Sequence, residues 1–137
     1  MNRAIIGIGS NIDPEKNIGS AREALRADPR VSIVSISQFV TTKPVGDPDQ
    51  PDFLNGAAMV ETGLSIHDLK ALLRGMEDRL GRIRTDNRYA PRTIDLDIVV
   101  WNGTILDNDY YTRTFLRDAV SELGIEETAL KKSSENE

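Results

Sequence analysis

Thr93-Ile-Asp-Leu-Asp-Ile-Val-Val-Trp101 is the stretch on which the fold turns. Ile94, Leu96, Ile98 and Val100 alternate with Thr93, Asp95 and Asp97, the period-two pattern of a strand with one aliphatic face. Asn102-Gly103 then signals a turn. Upstream, Leu69, Leu72, Leu73, Met76 and Leu80 form a helical stripe, with Ser65 as its N-cap and Gly81 as its stop. Before that helix, Phe53–Thr62 reads as a strand. Val31–Val40 reads as another, with Val34, Ile36 and Val40 on one face and Val31, Ile33 and Phe39 on the other. The intervening Thr41–Asp52 holds three prolines and a glycine and reads as a loop, long for a hairpin. At the start, the apolar run Ala4–Ile8 ends in Gly9-Ser-Asn11, a buried strand feeding a turn. Ile18, Ala21 and Leu25 then mark a helix over Pro14–Ala27, opened by Asp13.

The order is strand, helix, strand, strand, helix, strand. It predicts an α+β, ferredoxin-like βαββαβ domain with an antiparallel sheet and helices on one face. Residues 1–125 are expected to form this single domain, with a last helical segment over Tyr110–Gly124. The polar stretch 126–137 is expected to be a disordered tail.

Composition narrows the function. The chain has 137 residues, 39% hydrophobic and 28% charged, with a net charge of −5. That balance argues against non-specific binding to nucleic acid or anionic membranes, where a basic surface supplies the affinity. With no cysteine, disulfides, thiolate catalysis and Cys-ligated zinc are excluded. His67 is the one histidine, which argues against a His-rich metal centre or a Ser-His-Asp triad. No signal-peptide pattern opens the chain, and no apolar run approaches the ~20 residues of a membrane span. The expectation is a cytoplasmic, monomeric protein without nucleic-acid or membrane partners.

The chemistry concentrates in Arg82–Asp97. Asp95 and Asp97 share a strand face, so each disfavours ionisation of the other and a divalent cation relieves the pair. Hard oxygen ligands suit Mg²⁺. Spacing alone leaves open two solvated acids on an exposed face. Arg82, Arg84, Arg88 and Arg92 precede them in an otherwise acidic chain, and guanidinium groups grip phosphate oxygens bidentately. Metal beside arginines is what a polyphosphate needs; a solvated basic loop is the alternative. Phe53 and Asn55 share another strand face, where a ring could stack on a flat heterocycle and an amide could read its edge. Core packing is the plainer reading of Phe53. Gly7-Ile-Gly9 lacks the third glycine of a dinucleotide fingerprint and reads as a tight turn.

These residues resemble the 6-hydroxymethyl-7,8-dihydropterin pyrophosphokinase family. The matching pieces are Ile8-Gly-Ser-Asn11, Thr42-Lys-Pro-Val-Gly46, Gln50-Pro-Asp-Phe-Leu-Asn55, Glu77 and Arg88-Tyr-Ala-Pro-Arg-Thr-Ile-Asp-Leu-Asp-Ile98, within residues 4–107. The resemblance implies a ferredoxin-like fold and pyrophosphate transfer from MgATP to a pterin hydroxymethyl group in folate biosynthesis. It implies that Asp95 and Asp97 hold two Mg²⁺ ions and that Arg82 and Arg92 stabilise charge at the β-phosphorus. Arg84 and Arg88 would grip phosphates, and Glu77, Tyr89, Ile98 and Arg113 would serve the nucleotide. Thr42, Val45, Phe53, Asn55 and Phe115 would form the pterin site. The sequence departs from the family at Tyr89-Ala90, where Trp-Gly is usual. It has no counterpart of the family's Pro-His stretch and is shorter at its C-terminus. A weak or inactive pterin- and nucleotide-binding module is therefore the alternative. An RNA-binding ferredoxin-like domain fits poorly with 5% aromatics.

Overall fold

A computed structural model of the chain describes residues 1–46, 48–82 and 93–133. The elements run β1 (Asn2–Ser10), α1 (Pro14–Ala27), β2 (Val31–Ile36), β3 (Val40–Thr42), β4 (Phe53–Thr62) and α2 (Ile66–Arg79). They continue as β5 (Asp95–Trp101), β6 (Thr104–Ile105), α3 (Asp109–Thr112), α4 (Thr114–Glu122) and β7 (Lys131–Lys132). The sheet order is β2-β4-β1-β5-β6-β7, with β3 also on β4. All pairs are antiparallel except the two-residue β6–β7 bridge. The βαββαβ core expected from the sequence is thus present as β1-α1-β2-β4-α2-β5, with β1 and β4 at its centre.

Its two helices pack on one face of the sheet. Ile18, Ala21 and Leu25 of α1 and Leu69, Leu72, Leu73 and Met76 of α2 bury Ile6, Ile8, Ala58, Val60, Leu96 and Ile98. Both stripes follow the helical period, so burial of each drives the two helices onto the strands. Ser65 caps α2, its Oγ accepting from the Asp68 N–H at 3.1 Å. Asp13 makes no such side-chain bond; it turns the chain at φ 43°, and Pro14 begins α1.

The opposite face differs from the expected helix-free side. α4 lays Leu116, Ala119 and Val120 over Ile5, Ala57, Met59 and Val99. β5 adds apolar surface to that face. Its register against β1 shifts between Ile5 and Ile6, which face Val100 and Ile98 and leave Val99 as an extra residue. One inserted residue switches the side-chain alternation. Val100 therefore joins Ile5 and α4 rather than Ile98, and the second face gains enough apolar surface to hold a helix.

Two further differences are local. Strand 31–40 splits, because Ser37 Oγ accepts from the Ala57 N–H at 2.9 Å and its side chain takes a place in the ladder. β3 then pairs Val40 with Asn55 and Thr42 with Phe53. Past Glu126 the described residues form a 3-10 turn at Glu127–Ala129, and the Lys131 N–H donates to Gly103 O at 2.8 Å. Ile125 and Leu130 pack on the second-face core, which supplies the reason. Residues 134–137 lie outside the described residues. No described helix is long and apolar enough to cross a membrane.

Candidate active site

α4 covers only part of the second face. Beyond it, β1 presents Gly7 and Gly9 with no side chain above the sheet. Gly7 lies between Ala57 and Asp97, and Gly9 between Asn55 and Asp95. The result is a cleft of about 230 Å³ with a glycine floor, an acid wall from β5 and an amide-aromatic wall from β4. Gly9 is required by close approach: a Cβ there would lie 2.3 Å from Asn55 Oδ1.

Seven of the residues expected from the sequence line this cleft: Val45, Phe53, Asn55, Asp95, Asp97, Arg113 and Phe115. Thr42 stands beside them, its Oγ1 accepting from Asn55 Nδ2 at 2.6 Å. That bond fixes the amide, so the Asn55 carbonyl lies over Gly9. The Arg113 guanidinium sits 4.9 Å from the centre of the Phe115 ring, holding the aromatic at the far side of the cleft. The acids do not stand on an open sheet surface, as the alternation alone suggested, but in a recess.

Glu77, Arg82 and Ile98 do not line the recess. Ile98 packs its side chain into the α1–α2 core. Glu77 is 5% exposed, and its Oε2 accepts from Arg82 Nη1 at 2.7 Å and from the Leu96 N–H at 2.7 Å. The same Arg82 nitrogen donates to Asp95 Oδ1 at 2.9 Å. Helix α2, the start of the arginine-rich segment and the start of β5 are tied together by this one network. Arg84, Arg88, Tyr89 and Arg92 fall outside the described residues.

The acid wall is electrostatically tense. Lost hydration in the cleft, then the charge of Asp95 and a hydrogen bond to it, push the Asp97 carboxyl up to about 8. Asp97 keeps an exposed surface, so water tempers both causes, and the upward direction rests on the carboxylate of Asp95 beside it. Asp107 is raised as well, chiefly by burial, against a bond from the Asp109 N–H to its Oδ1 at 2.9 Å. Among the described residues no group of three or more His, Cys, Asp or Glu side chains is arranged to cage a metal by itself. A crowded carboxylate pair is instead the donor set for a hard divalent cation that keeps waters and substrate phosphate oxygens in its shell. The residues present fit Mg²⁺.

Asp107 and Asp109 were not singled out from the sequence, although both line the cleft. Their Asp-x-Asp spacing repeats that of Asp95 and Asp97, but they sit in a polar turn where acids are ordinary. Gly7 and Gly9 lie within β1 rather than in a turn, and the pairing of Gly9 with Asn55 and Asp95 is a matter of register, which no local pattern reports. His67, in the first turn of α2, is exposed and does not line the cleft.

Comparison with known proteins meets this geometry. A family model described as 7,8-dihydro-6-hydroxymethylpterin-pyrophosphokinase matches residues 5–125. The chain belongs to this family. A 2-amino-4-hydroxy-6-hydroxymethyldihydropteridine pyrophosphokinase of Pseudomonas aeruginosa is 37% identical over 108 residues, covering 78% of this chain and 66% of that protein. Proteins of the same name from Methylorubrum extorquens and Bacillus subtilis are each 38% identical. They align over 110 and 109 residues, covering 80% and 79% of this chain and 69% and 65% of those proteins. The chain therefore spans about two thirds of the length of the pyrophosphokinases it matches. For a member of the pterin-pyrophosphokinase family, the α4-flanked cleft is the one recess that gathers the acid pair and the aromatic side chains among the described residues.

Proposed function

We propose that this chain transfers the pyrophosphoryl group of MgATP to the hydroxymethyl oxygen of 6-hydroxymethyl-7,8-dihydropterin, a step of folate biosynthesis. The observation that carries the reading is the meeting, in one cleft, of Asp95 and Asp97 with Phe53, Asn55 and Phe115. Acids of this kind serve a metal-bound polyphosphate, and the facing aromatics and amide serve a flat heterocycle. Family membership supports the same pairing of substrates.

In this reading the acceptor hydroxyl gives its proton to water as its oxygen attacks the β-phosphorus, the bond from that phosphorus to the α,β-bridging oxygen breaks, and AMP leaves. Asp95 and Asp97 would hold two Mg²⁺ ions. Bound there, the metal would supply charge neutralisation for the phosphate oxygens. Arg82 and Arg92 would meet the charge that moves onto the leaving oxygen. Arg84, Arg88, Tyr89 and Arg113 would grip the nucleotide. Glu77 and Ile98 would serve the nucleotide from behind the acid wall. Phe53 and Phe115 would stack on the pterin, Thr42 and Asn55 would read its edge, and Val45 would close over it. No protein nucleophile is needed; positioning and electrostatics supply the rate.

A second reading, a binding module with little turnover, is favoured by Asp107 and Asp109, which add negative charge beside the acid pair. Incubation with MgATP and 6-hydroxymethyl-7,8-dihydropterin separates the two. AMP release that requires both substrates supports transfer. Tight pterin binding with no AMP above the blank supports the module.

A further inference from the structure

The long loop between β3 and β4 carries Val45 to the cleft. An ion pair across it, Lys43 to Asp52 at 3.8 Å, is exposed and adds little. At its far end two polar side chains are buried instead. Asn11, just past the end of β1, is 2% exposed; Gln50, three residues before Phe53, is 9% exposed. Asn11 Nδ2 donates to Gln50 Oε1 at 2.9 Å and to Pro51 O at 3.3 Å. Gln50 Nε2 is buried and has no hydrogen-bond partner among the described residues.

A buried amide with an unpaired N–H₂ group costs free energy that a merely structural contact should not tolerate. An aliphatic side chain of similar size would fill the same space without that cost. We propose that Asn11 and Gln50 are positioning residues for the acceptor side of the cleft: together they seat the loop end so that Val45 and Phe53 face the pterin. The inference rests on the proposed pterin site. Asn11 continues the strand whose Gly9 lies against Asn55, and Gln50 leads into the strand that bears Phe53 and Asn55. The seat therefore couples the cleft floor to its aromatic wall. Loss of Asn11 would leave the Gln50 carbonyl and the Pro51 carbonyl without their shared donor, and the loop end would leave its place.

The test is equilibrium binding, read by pterin fluorescence and, separately, by titration of MgATP. Gln50→Met keeps the volume and removes both the accepting oxygen and the unpaired donor, so the variant is expected to fold at wild-type stability. Pterin affinity should fall about tenfold, the loss of roughly one to two net hydrogen bonds, while MgATP affinity stays within twofold. Asn11→Ala should show the same selective loss, and the double variant should be no worse than Asn11→Ala alone. Pterin affinity within twofold of wild type in folded Gln50→Met, or equal losses for pterin and MgATP, would overturn the proposal. Failure of the wild-type protein to bind pterin at all would instead overturn the function on which it rests.

Discussion

The Glu77 carboxylate and the Arg82 guanidinium meet at 2.7 Å behind the acid wall, and the same guanidinium nitrogen reaches Asp95 at 2.9 Å. Arg82 is thereby shared between a buried acid and one at the cleft. Glu77 also accepts the Leu96 N–H, so its removal would orphan a backbone donor and leave Arg82 to close wholly on Asp95. Glu77→Ala is expected to lower stability by about 3 kcal/mol, in the range for breaking a buried pair, as read by urea unfolding. Glu77→Gln, which keeps an accepting oxygen, should lose less than half as much. An alanine variant as stable as wild type would show that the network does not hold β5 to α2.

The raised Asp97 gives a pH dependence with a definite sign. Its carboxyl titrates near 4 when unfolded and about 8 when folded, so between those values the native state binds the extra proton. Without divalent metal, this group's contribution to stability is full below about pH 4 and is lost as the pH rises through about 8. Asp97→Asn, neutral throughout, should flatten the melting temperature across that window and make the protein more stable than wild type at its alkaline end. Mg²⁺ with a nucleotide should recover stability in wild type and not in the variant. A wild-type melting temperature that rises from pH 4 to pH 8 would contradict the assignment.

Gly9 sets the position of the Asn55 amide. In Gly9→Ala the new Cβ would meet Asn55 Oδ1 at 2.3 Å, so the amide must move from its bond with Thr42. Overpacking of this kind costs about 1–3 kcal/mol. Pterin affinity is expected to fall at least tenfold with nucleotide affinity little changed. Equal pterin affinity in variant and wild type would mean that Asn55 does not read the acceptor.

Phe115 supplies a testable aromatic surface. Removing a stacking ring costs about 1–3 kcal/mol for a flat base, so Phe115→Ala should weaken pterin binding about tenfold or more. Phe115→Tyr should restore most of it. A loss confined to MgATP would assign the ring to the nucleotide side.

The core of the fold was legible because its signals are local. The stripes Ile18-Ala21-Leu25 and Leu69-Leu72-Met76 and the alternation before Ile98 each fix an element without knowledge of the rest. What escaped was non-local. The extra residue at Val99 reverses Val100, and only pairing with Ile5 and Ile6 reveals it. That reversal adds Val100 to the face that α4 covers, and α4, packed there, makes the acid pair one wall of a cleft. The lining of the cleft was legible where residue chemistry is distinctive, as with Asp95, Asp97, Phe53 and Asn55. Asp107 and Asp109 were not, because acids in a turn carry no distinguishing pattern. The Glu77 carboxylate accepts from Arg82 and from the Leu96 N–H, contacts that spacing along α2 does not announce.

The central claim is that the group moved is pyrophosphoryl and that Asp95 and Asp97 serve its donor. Phosphorus NMR of a reaction with MgATP and 6-hydroxymethyl-7,8-dihydropterin tests it most directly. The prediction is a pterin diphosphate formed in equal amount with AMP, without ADP, and absent when Asp95→Asn or Asp97→Asn replaces the wild-type protein. ADP with a pterin monophosphate, or undiminished product from both variants, would contradict it.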